Sequence, residues 1–383
     1  MTETAAHALL SCTIDGRVLE VPRGTTVLVA AQRAGIRIPT LCNDPRMKSW
    51  GGCRMCIVEV EGARAPVASC AAQVTDGMVV RTDTDDIRAL RKTVLELILS
   101  DHPNACMTCD ATGACDLQDL AYEYDARWDR FSVPVDAEGQ VVERDVGPDT
   151  PGVSWRPASM GDRAIDDPNP FILREYEKCI LCGRCVRICE EVQQDSVYDF
   201  MNRSHATRVD TPYSKSLIDT QCSLCGQCVS SCPTGALLPR QSLGKGRAWQ
   251  LERTETVCGY CGCGCVINLV HRDGAVVGVE GVKDKGPGWG NLCIKGRFAW
   301  QYVNHADRLT TPLIKRDGEF VEASWDEALA LIGSRLKETK AAHGPDAIAG
   351  LASAKCTNEE NYAFQKLMRA VMGTNNVDHC ARL

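Results

Sequence analysis

Five sets of potential metal ligands follow one another through this chain of 383 residues. In order they are Cys42/Cys53/Cys56/Cys70, then His102/Cys106/Cys109/Cys115, then the runs Cys179/Cys182/Cys185/Cys189 and Cys222/Cys225/Cys228/Cys232, then Cys258/Cys261/Cys265/Cys293. Thiolates at such spacings hold iron–sulfur clusters, whose chemistry is the gain and loss of single electrons. One set would suit a structural staple or a sensor. Five in series suit a wire.

The sets specify different things. Cys42-x10-Cys53-x2-Cys56-x13-Cys70 fits a [2Fe–2S] site whose first spacer is longer than the plant-type one. Gly51-Gly52 lets the backbone turn tightly there and aim amides at sulfur. A zinc ribbon is the competing reading, though one C-x2-C and two single cysteines fit zinc less well. His102-x3-Cys106-x2-Cys109-x5-Cys115 reads as a His/Cys3 [4Fe–4S] site, in which a neutral imidazole replaces a thiolate and tunes the potential. The alternative is an ordinary, satisfied histidine.

The two C-x2-C-x2-C-x3-C runs are an internal repeat and the strongest signal. In two-cluster ferredoxins the fourth cysteine of each run serves the other cluster. That assigns Cys179, Cys182, Cys185 and Cys232 to one [4Fe–4S], and Cys222, Cys225, Cys228 and Cys189 to its partner. Pro233 follows the second run as the pattern asks; Glu190 after the first is a departure. The last set, Cys258-x2-Cys261-x3-Cys265-x27-Cys293, is complete without Cys263. Cys12, Cys263, Cys356 and Cys380 fall outside every set and read as small buried residues.

The elements that must position these side chains are legible in part. Residues 9–21 predict a hairpin turning at Asp15-Gly16. A helix capped near Thr25 or Thr26 and ended by Gly35 comes next, then strands over 56–60 and around 79–80. This order suits a β-grasp ferredoxin domain over 1–84. An amphipathic helix over 85–100, with Ile87, Leu90, Val94, Leu97 and Ile98 on one face, opens a His/Cys3 domain over 85–130. Residues 131–170 are rich in Pro, Gly and Asp and read as a linker or insertion. The tandem runs define a two-[4Fe–4S] ferredoxin domain over 171–245. Residues 252–310 hold the last set and a hairpin at 266–279, and 311–383 begin an α/β domain. In that last stretch, capping boxes open helices at Ser324 and Thr357, Gly373 ends the second helix, and Ala347–Ala352 reads as a short buried strand. The fold class is thus α+β and multidomain.

Composition narrows the class further. Twenty-three cysteines in a chain this long favour metal over a disulfide scaffold. A net charge of -7 carries no nucleic-acid footprint. Residues 1–10 show no export signal, and no apolar run is long enough to span a membrane, so a cytoplasmic location is expected. No Gly-x-Gly-x-x-Gly opens a βαβ unit, so nicotinamide binding is expected on another chain.

The string Cys293-Ile294-Lys295-Gly296-Arg297-Phe298, with Arg308-Leu309-Thr310-Thr311-Pro312-Leu313 and Ser324-Trp325-Asp326-Glu327-Ala328, resembles the molybdopterin-dependent oxidoreductases. Within them, the segment from Gly373 to Leu383 resembles formate dehydrogenase. The front half resembles the large iron–sulfur subunit of respiratory complex I and the front of [FeFe]-hydrogenases. The combination is similar to the α subunit of cytosolic NAD-dependent formate dehydrogenases.

That resemblance implies one [2Fe–2S] and four [4Fe–4S] clusters. It also implies a Mo or W bis-molybdopterin guanine dinucleotide that oxidises formate to CO2, and Lys295 lying between the last cluster and the pterin. The partners it implies are an FMN- and NAD-binding flavoprotein and a small [2Fe–2S] subunit of diaphorase type. In the family the metal-binding Cys or selenocysteine follows Ala-Arg-Leu, so here it is expected just after Leu383. Cys380 lies too early for that role, and no catalytic residue is expected within the chain. A selenocysteine codon read as a stop is one explanation for the ending; a standalone electron carrier is another. The complex I reading is disfavoured because that large subunit is expected to lack a two-cluster ferredoxin module. An [FeFe]-hydrogenase is disfavoured because the Cys258–Cys293 region replaces its catalytic domain.

Overall fold

The computed structural model describes residues 9–138, 140–142, 154–156 and 168–380. Most of the segment read for an export signal, and all of Ala381-Arg382-Leu383, lie outside the described residues. The chain divides into two compact units, Met1–Gln250 and Leu251–Leu383.

The first unit opens with β1 (Leu9–Ile14) and β2 (Arg17–Pro22), which pair antiparallel with Ile14 opposite Arg17. Asp15 and Gly16 take φ of 48° and 79°, the two positive values that match a two-residue turn to the twist of its strands. α1 (Val27–Arg33) starts where the Thr26 hydroxyl accepts the Val29 N–H, and Gly35 at φ 70° reverses the chain after it. β3 (Ile57–Val60), β4 (Val67–Ala68) and β5 (Met78–Arg81) complete a sheet of order β2-β1-β5-β3-β4. The central β1 and β5 run parallel. Val27, Leu28, Ala30 and Ala31 of α1 share one core with Ile14, Val21, Val58 and Val80 of the sheet. Burying such side chains contributes roughly 1.5–3 kcal/mol for each large one.

α2 (Asp85–Leu99) is capped by the Thr84 hydroxyl on the Ile87 N–H. Its buried face corrects the sequence reading: Ile87, Arg91, Leu95 and Glu96 are buried, while Leu90 and Leu97 are exposed. Arg91 donates to the Ile57 carbonyl at 2.7 Å and to the Tyr124 hydroxyl at 3.1 Å, and Glu96 pairs with Arg130. Paired in this way, two ionic side chains can be buried, and they rotate the helix away from its apolar stripe. α3 (Asp116–Glu123) packs Leu117 and Leu120 beside Leu95. Two short strands lie among the described residues of the 131–170 segment. β6 (Val133–Val135) and β7 (Ser154–Arg156) form an antiparallel ladder, too short to leave a periodic signature in the sequence.

In the tandem region β8 (Ile172–Arg174) is followed by α4 (Arg184–Arg187), which continues as a π-helical turn to Gln193. β9 (Asp199–Met201) pairs with β10 (Arg208–Asp210). After α5 (Gln227–Ser231), β11 (Leu237–Pro239) returns to pair antiparallel with β8. That closure brings the two ends of the region, and with them the two cysteine runs, side by side.

The second unit begins with β12 (Glu252–Val257), β13 (Val266–Arg272) and β14 (Ala275–Gly281), an antiparallel sheet in sequence order. The hairpin turns at Asp273-Gly274, as expected. α6 (Ile294–Phe298) starts directly after Cys293. β15 (Leu313–Arg316) and β16 (Glu319–Glu322) form a hairpin ahead of α7 (Trp325–His343). β17 (Gly350–Ala352) pairs parallel with β18 (Val377–His379), and α8 (Asn358–Lys366) lies between them in sequence.

Two expectations for this unit change. Thr357 and Glu360 make a complete capping box. At Ser324 only half of one forms, because Glu327 pairs with Arg316. The 347–352 strand is not buried throughout either: Leu351 is exposed, and burial is confined to Ile348 and Gly350. No residue of α7 is buried. Among the described residues no helix is long and apolar enough to cross a membrane.

Candidate metal centres

The first set sits on the loop before β3 and the turn after β4. Cys42, Cys56 and Cys70 are buried and Cys53 half-buried. Gly51 takes φ 72°, a conformation open to glycine at little cost. The turn aims the Cys53 N–H at Cys42 Sγ, 3.5 Å away, while the Cys42 N–H reaches Cys53 Sγ at 3.4 Å. The Cys53 thiol hydrogen bond draws Cys42 down to about 5, and that of Cys70 draws Cys56 down to about 6. Cys53 and Cys70 are pushed up in return, first by those same bonds. Two thiols that ionise readily and two close partners give four sulfurs within mutual electrostatic reach.

The second set lines a hollow partly open to solvent, formed by His102, Cys106, Cys109 and Cys115 together with Lys178 and Gly235. Among the described residues the buried Nδ1 of His102 has no hydrogen-bond partner. Burial, and then the nearby Lys178, bring this imidazole down to about 4, so near neutral pH it is uncharged, the form that binds metal. An unpartnered buried nitrogen costs free energy unless something occupies its lone pair. A Cβ on Gly235 would lie 2.7 Å from Cys109 Sγ, so glycine is what lets the backbone come this close. The fit to a cluster is good.

The tandem runs repeat each other down to the backbone. Leu181 and Leu224 both take φ 52°, and Gly183 and Gly226 take 68° and 72°. A positive φ is strained for leucine, and here it has a visible result. The Leu181 N–H points at Cys179 Sγ from 3.4 Å, and the Leu224 N–H at Cys222 Sγ from 3.3 Å. Amides aimed at sulfur stabilise thiolate ligands. A second hollow, partly open to solvent, is lined by Cys179, Cys182 and Cys185 and by Cys232 of the other run. Burial and then Cys232 push the Cys182 thiol up to about 12. Cys189 crosses in the opposite sense: with Cys225 and Cys222 it raises the Cys228 thiol, after burial itself. The structure therefore brings together the two sets that the exchange of fourth cysteines specifies.

In the second unit Cys258 is buried, Cys265 half-buried, and Cys261 and Cys293 exposed. The Cys258 N–H donates to the Cys265 carbonyl at 2.9 Å. Burial raises the Cys258 thiol, with Cys293 and Cys261 adding to it. Cys263 lies with its Sγ 3.6 Å from that of Cys265. It is exposed, as is Cys380, and Cys356 is half-buried, so of the four unassigned cysteines only Cys12 matches the buried reading.

Lys295 is exposed on α6, two residues after Cys293. Among the described residues no three His, Cys, Asp or Glu side chains converge as a single metal ion would require. These residues offer no donor set for a molybdenum or tungsten ion.

Several residues around the sets carried no sequence signal. Lys178, Gly235, Trp50 and Arg187 each work through partners dozens of residues away, where periodicity is silent. The available hint was adjacency, since Lys178 directly precedes Cys179 and Arg187 lies between Cys185 and Cys189.

Known proteins match the chain in segments. Residues 7–85 match a 2Fe-2S iron-sulfur cluster binding domain, and 91–129 the NADH-ubiquinone oxidoreductase-G iron-sulfur binding region. Residues 169–238 match the ferredoxin-like domain of NADH-quinone oxidoreductase subunit 3. Residues 251–305 match the molybdopterin oxidoreductase Fe4S4 domain, and 308–383 molybdopterin oxidoreductase itself. The 169–238 match removes the argument against a complex I-type chain, because that family carries a ferredoxin-like domain of its own in this place.

Among curated relatives, the NADPH-Fe(3+) oxidoreductase subunit alpha of Geobacter sulfurreducens is 38% identical over 98% of this chain and 40% of its own length. The G 2 chain of the NADH-quinone oxidoreductase of Rhizobium meliloti is also 38% identical, over 98% of this chain and 40% of its length. A protein of Staphylococcus haemolyticus, provisionally named a formate dehydrogenase, is 30% identical over 97% and 39%. The chain thus spans about 40% of the length of the curated relatives it matches. A solved NAD+-reducing [NiFe]-hydrogenase in the H2-reduced state superposes with TM-score 0.51 at 29% identity, covering 60% of this chain and 87% of the other.

Proposed function

Since the chain is an iron–sulfur segment of the NADH-quinone oxidoreductase G and molybdopterin oxidoreductase type, we propose that it is the electron-transfer part of a formate dehydrogenase α subunit. In this reading formate gives up two electrons and a proton to become CO2, at a Mo or W pterin site that these residues do not themselves complete. NAD+ takes up the two electrons and a proton on a flavoprotein partner. The clusters, when bound, supply one-electron relay. The carrying observation is that Cys232 lines the hollow of the 179–185 run while Cys189 lies within electrostatic reach of Cys228 in the other run, the arrangement that crossed ligation in a two-cluster ferredoxin would need. Lys295, next to the last set, supports the pterin half of the reading.

This chain's own residues have plain tasks. Leu181 and Leu224 hold amides on sulfur, His102 offers an uncharged nitrogen, and Gly235 admits a close backbone approach. A filled chain should hold about 18 iron atoms, from one [2Fe–2S] and four [4Fe–4S] clusters, measurable by anaerobic iron and sulfide analysis. About four metal atoms, mostly zinc, would end the wire reading. Cys232→Ser should alter the EPR signal of the cluster on the 179–185 run and leave its partner alone; the reverse pattern would overturn the assignment.

A second reading, a chain of the NADH-quinone oxidoreductase G kind without formate chemistry, is favoured by the 38% identity to the Rhizobium protein and by the ferredoxin-like match. Anaerobic bleaching of cluster absorbance in the complete complex separates the two. Bleaching by formate, coupled to NADH formation, is the outcome expected here. Bleaching by NADH or NADPH but never by formate would give the second reading first place.

A further inference from the structure

The ten residues between Cys42 and Cys53 exceed what a plant-type spacer needs, and the structure shows them in use. Arg187, on α4 between Cys185 and Cys189, donates through Nη1 to the Lys48 carbonyl at 2.7 Å and through Nη2 to the carbonyl of Cys42. Its guanidinium lies 5.5 Å from the ring centroid of Trp50. Trp50 in turn stacks on Phe200, with centroids 5.7 Å apart and planes 22° off parallel. Two glycines make room for that ring. A Cβ on Gly52 would lie 2.5 Å from Trp50, and one on Gly183 would lie 3.1 Å from it and 3.2 Å from Phe200. The Lys48 N–H donates to Glu191 at 2.8 Å, and Arg46 reaches the Ser230 hydroxyl on α5 at 3.3 Å.

We propose that the loop from Asn43 to Gly52 is a docking strap that seats the first cysteine set on the helix carrying Cys185 and Cys189, with Arg187 as its positioning residue. The proposal rests on the reading of both sets as cluster sites. Only a planar fork with several donors can hold two carbonyls and cover an aromatic face at once. A generic contact between domains would leave the ligand backbone alone. Here one of the two carbonyls belongs to Cys42 itself, so a change at Arg187 is felt at the first ligand. The rate of one-electron transfer falls steeply with distance, so a strap that fixes this separation fixes the coupling of the two sites.

The test uses the whole chain, wild type, Arg187→Gln, Arg187→Lys and Trp50→Ala, with iron content and melting temperature as controls. Amide exchange in residues 43–52 should rise at least tenfold in Arg187→Gln and Trp50→Ala. The [2Fe–2S] EPR signal, relaxed in the wild type by its paramagnetic neighbour, should saturate at lower microwave power in both. Arg187→Lys keeps the charge but not the fork and should behave as Arg187→Gln does; full rescue by lysine would overturn the positioning role. Unchanged exchange in all three variants would overturn the strap. Exchange that rises in the variants of a protein holding no [2Fe–2S] signal would keep the docking contact but sink the cluster reading beneath it.

Discussion

Cys182, Cys185, Cys225 and Cys228 lie buried in the first unit beneath the β8–β11 closure, whereas Cys261 and Cys293 of the second unit are exposed. The same contrast runs through the helices. α2 buries an arginine and a glutamate along with its leucine, while α7, longer by four residues, buries nothing. The first unit reaches burial by bringing back distant segments, Cys232 to the 179–185 run and Gly235 to Cys109. The second is assembled mostly from neighbours in sequence, as β12-β13-β14 and the β15–β16 hairpin show. Long-range return encloses a ligand set within the first unit; the locally assembled set is open in this segment, which spans about 40% of the length of its curated relatives.

Oxidative damage should show this difference most strongly. In the 383-residue segment by itself, under limiting ferricyanide or air, a cluster held by Cys258, Cys261, Cys265 and Cys293 should be lost roughly tenfold faster than the tandem pair, because exposure governs access to the thiolates. Loss at equal rates, followed by EPR, would remove the comparison. Next in size is Gly281→Ala, whose Cβ would stand 2.1 Å from the Gly290 carbonyl oxygen. Overpacking against backbone costs roughly 3 kcal/mol or more. The second unit should melt earlier in calorimetry while the tandem-pair EPR signals persist. A single transition that moves as a whole would show that the units are not independent.

Ion pairs extend the comparison to smaller effects. Arg130→Ala leaves Glu96, whose side chain is 1% exposed, with little more than the Arg127 N–H, and should cost about 3 kcal/mol in urea titration. Arg316→Ala breaks an exposed pair in the second unit and should cost less than about 1 kcal/mol. Equal costs would mean that burial does not separate the two regions. The smallest effect concerns acid. Arg127 holds the Asp129 carboxyl below its usual range, with burial acting against it. That contribution is present above the unfolded carboxylate value of about 3.9 and fades as the pH falls through the lower folded value. Asp129→Asn should flatten the acid limb of the first unit's stability profile slightly and leave the neutral limb lower.

Much of this was legible in the residues. Asp15-Gly16 and Asp273-Gly274 specify their turns because few other pairs accept positive φ twice. Thr26 and Thr357 mark helix starts because their hydroxyls replace missing backbone partners. Spacing offered five candidate sets because a cluster fixes how far apart its ligands can stand. The inward face of α2 was misread, since its period favoured Leu90 and Leu97. Arg91 and Glu96 won those positions through the Ile57 carbonyl, Tyr124 and Arg130, none of which lies within the helix.

Turns, caps and the repeat of the tandem runs were written in the order of residues, because each is set by interactions within a few positions of the chain. Folding added the rest: which thiols are sheltered, that Lys178 and Gly235 wall the His102 hollow, and that Arg187 grips the Cys42 loop. Those depend on contacts between segments far apart in the chain, which no local pattern of residue types encodes.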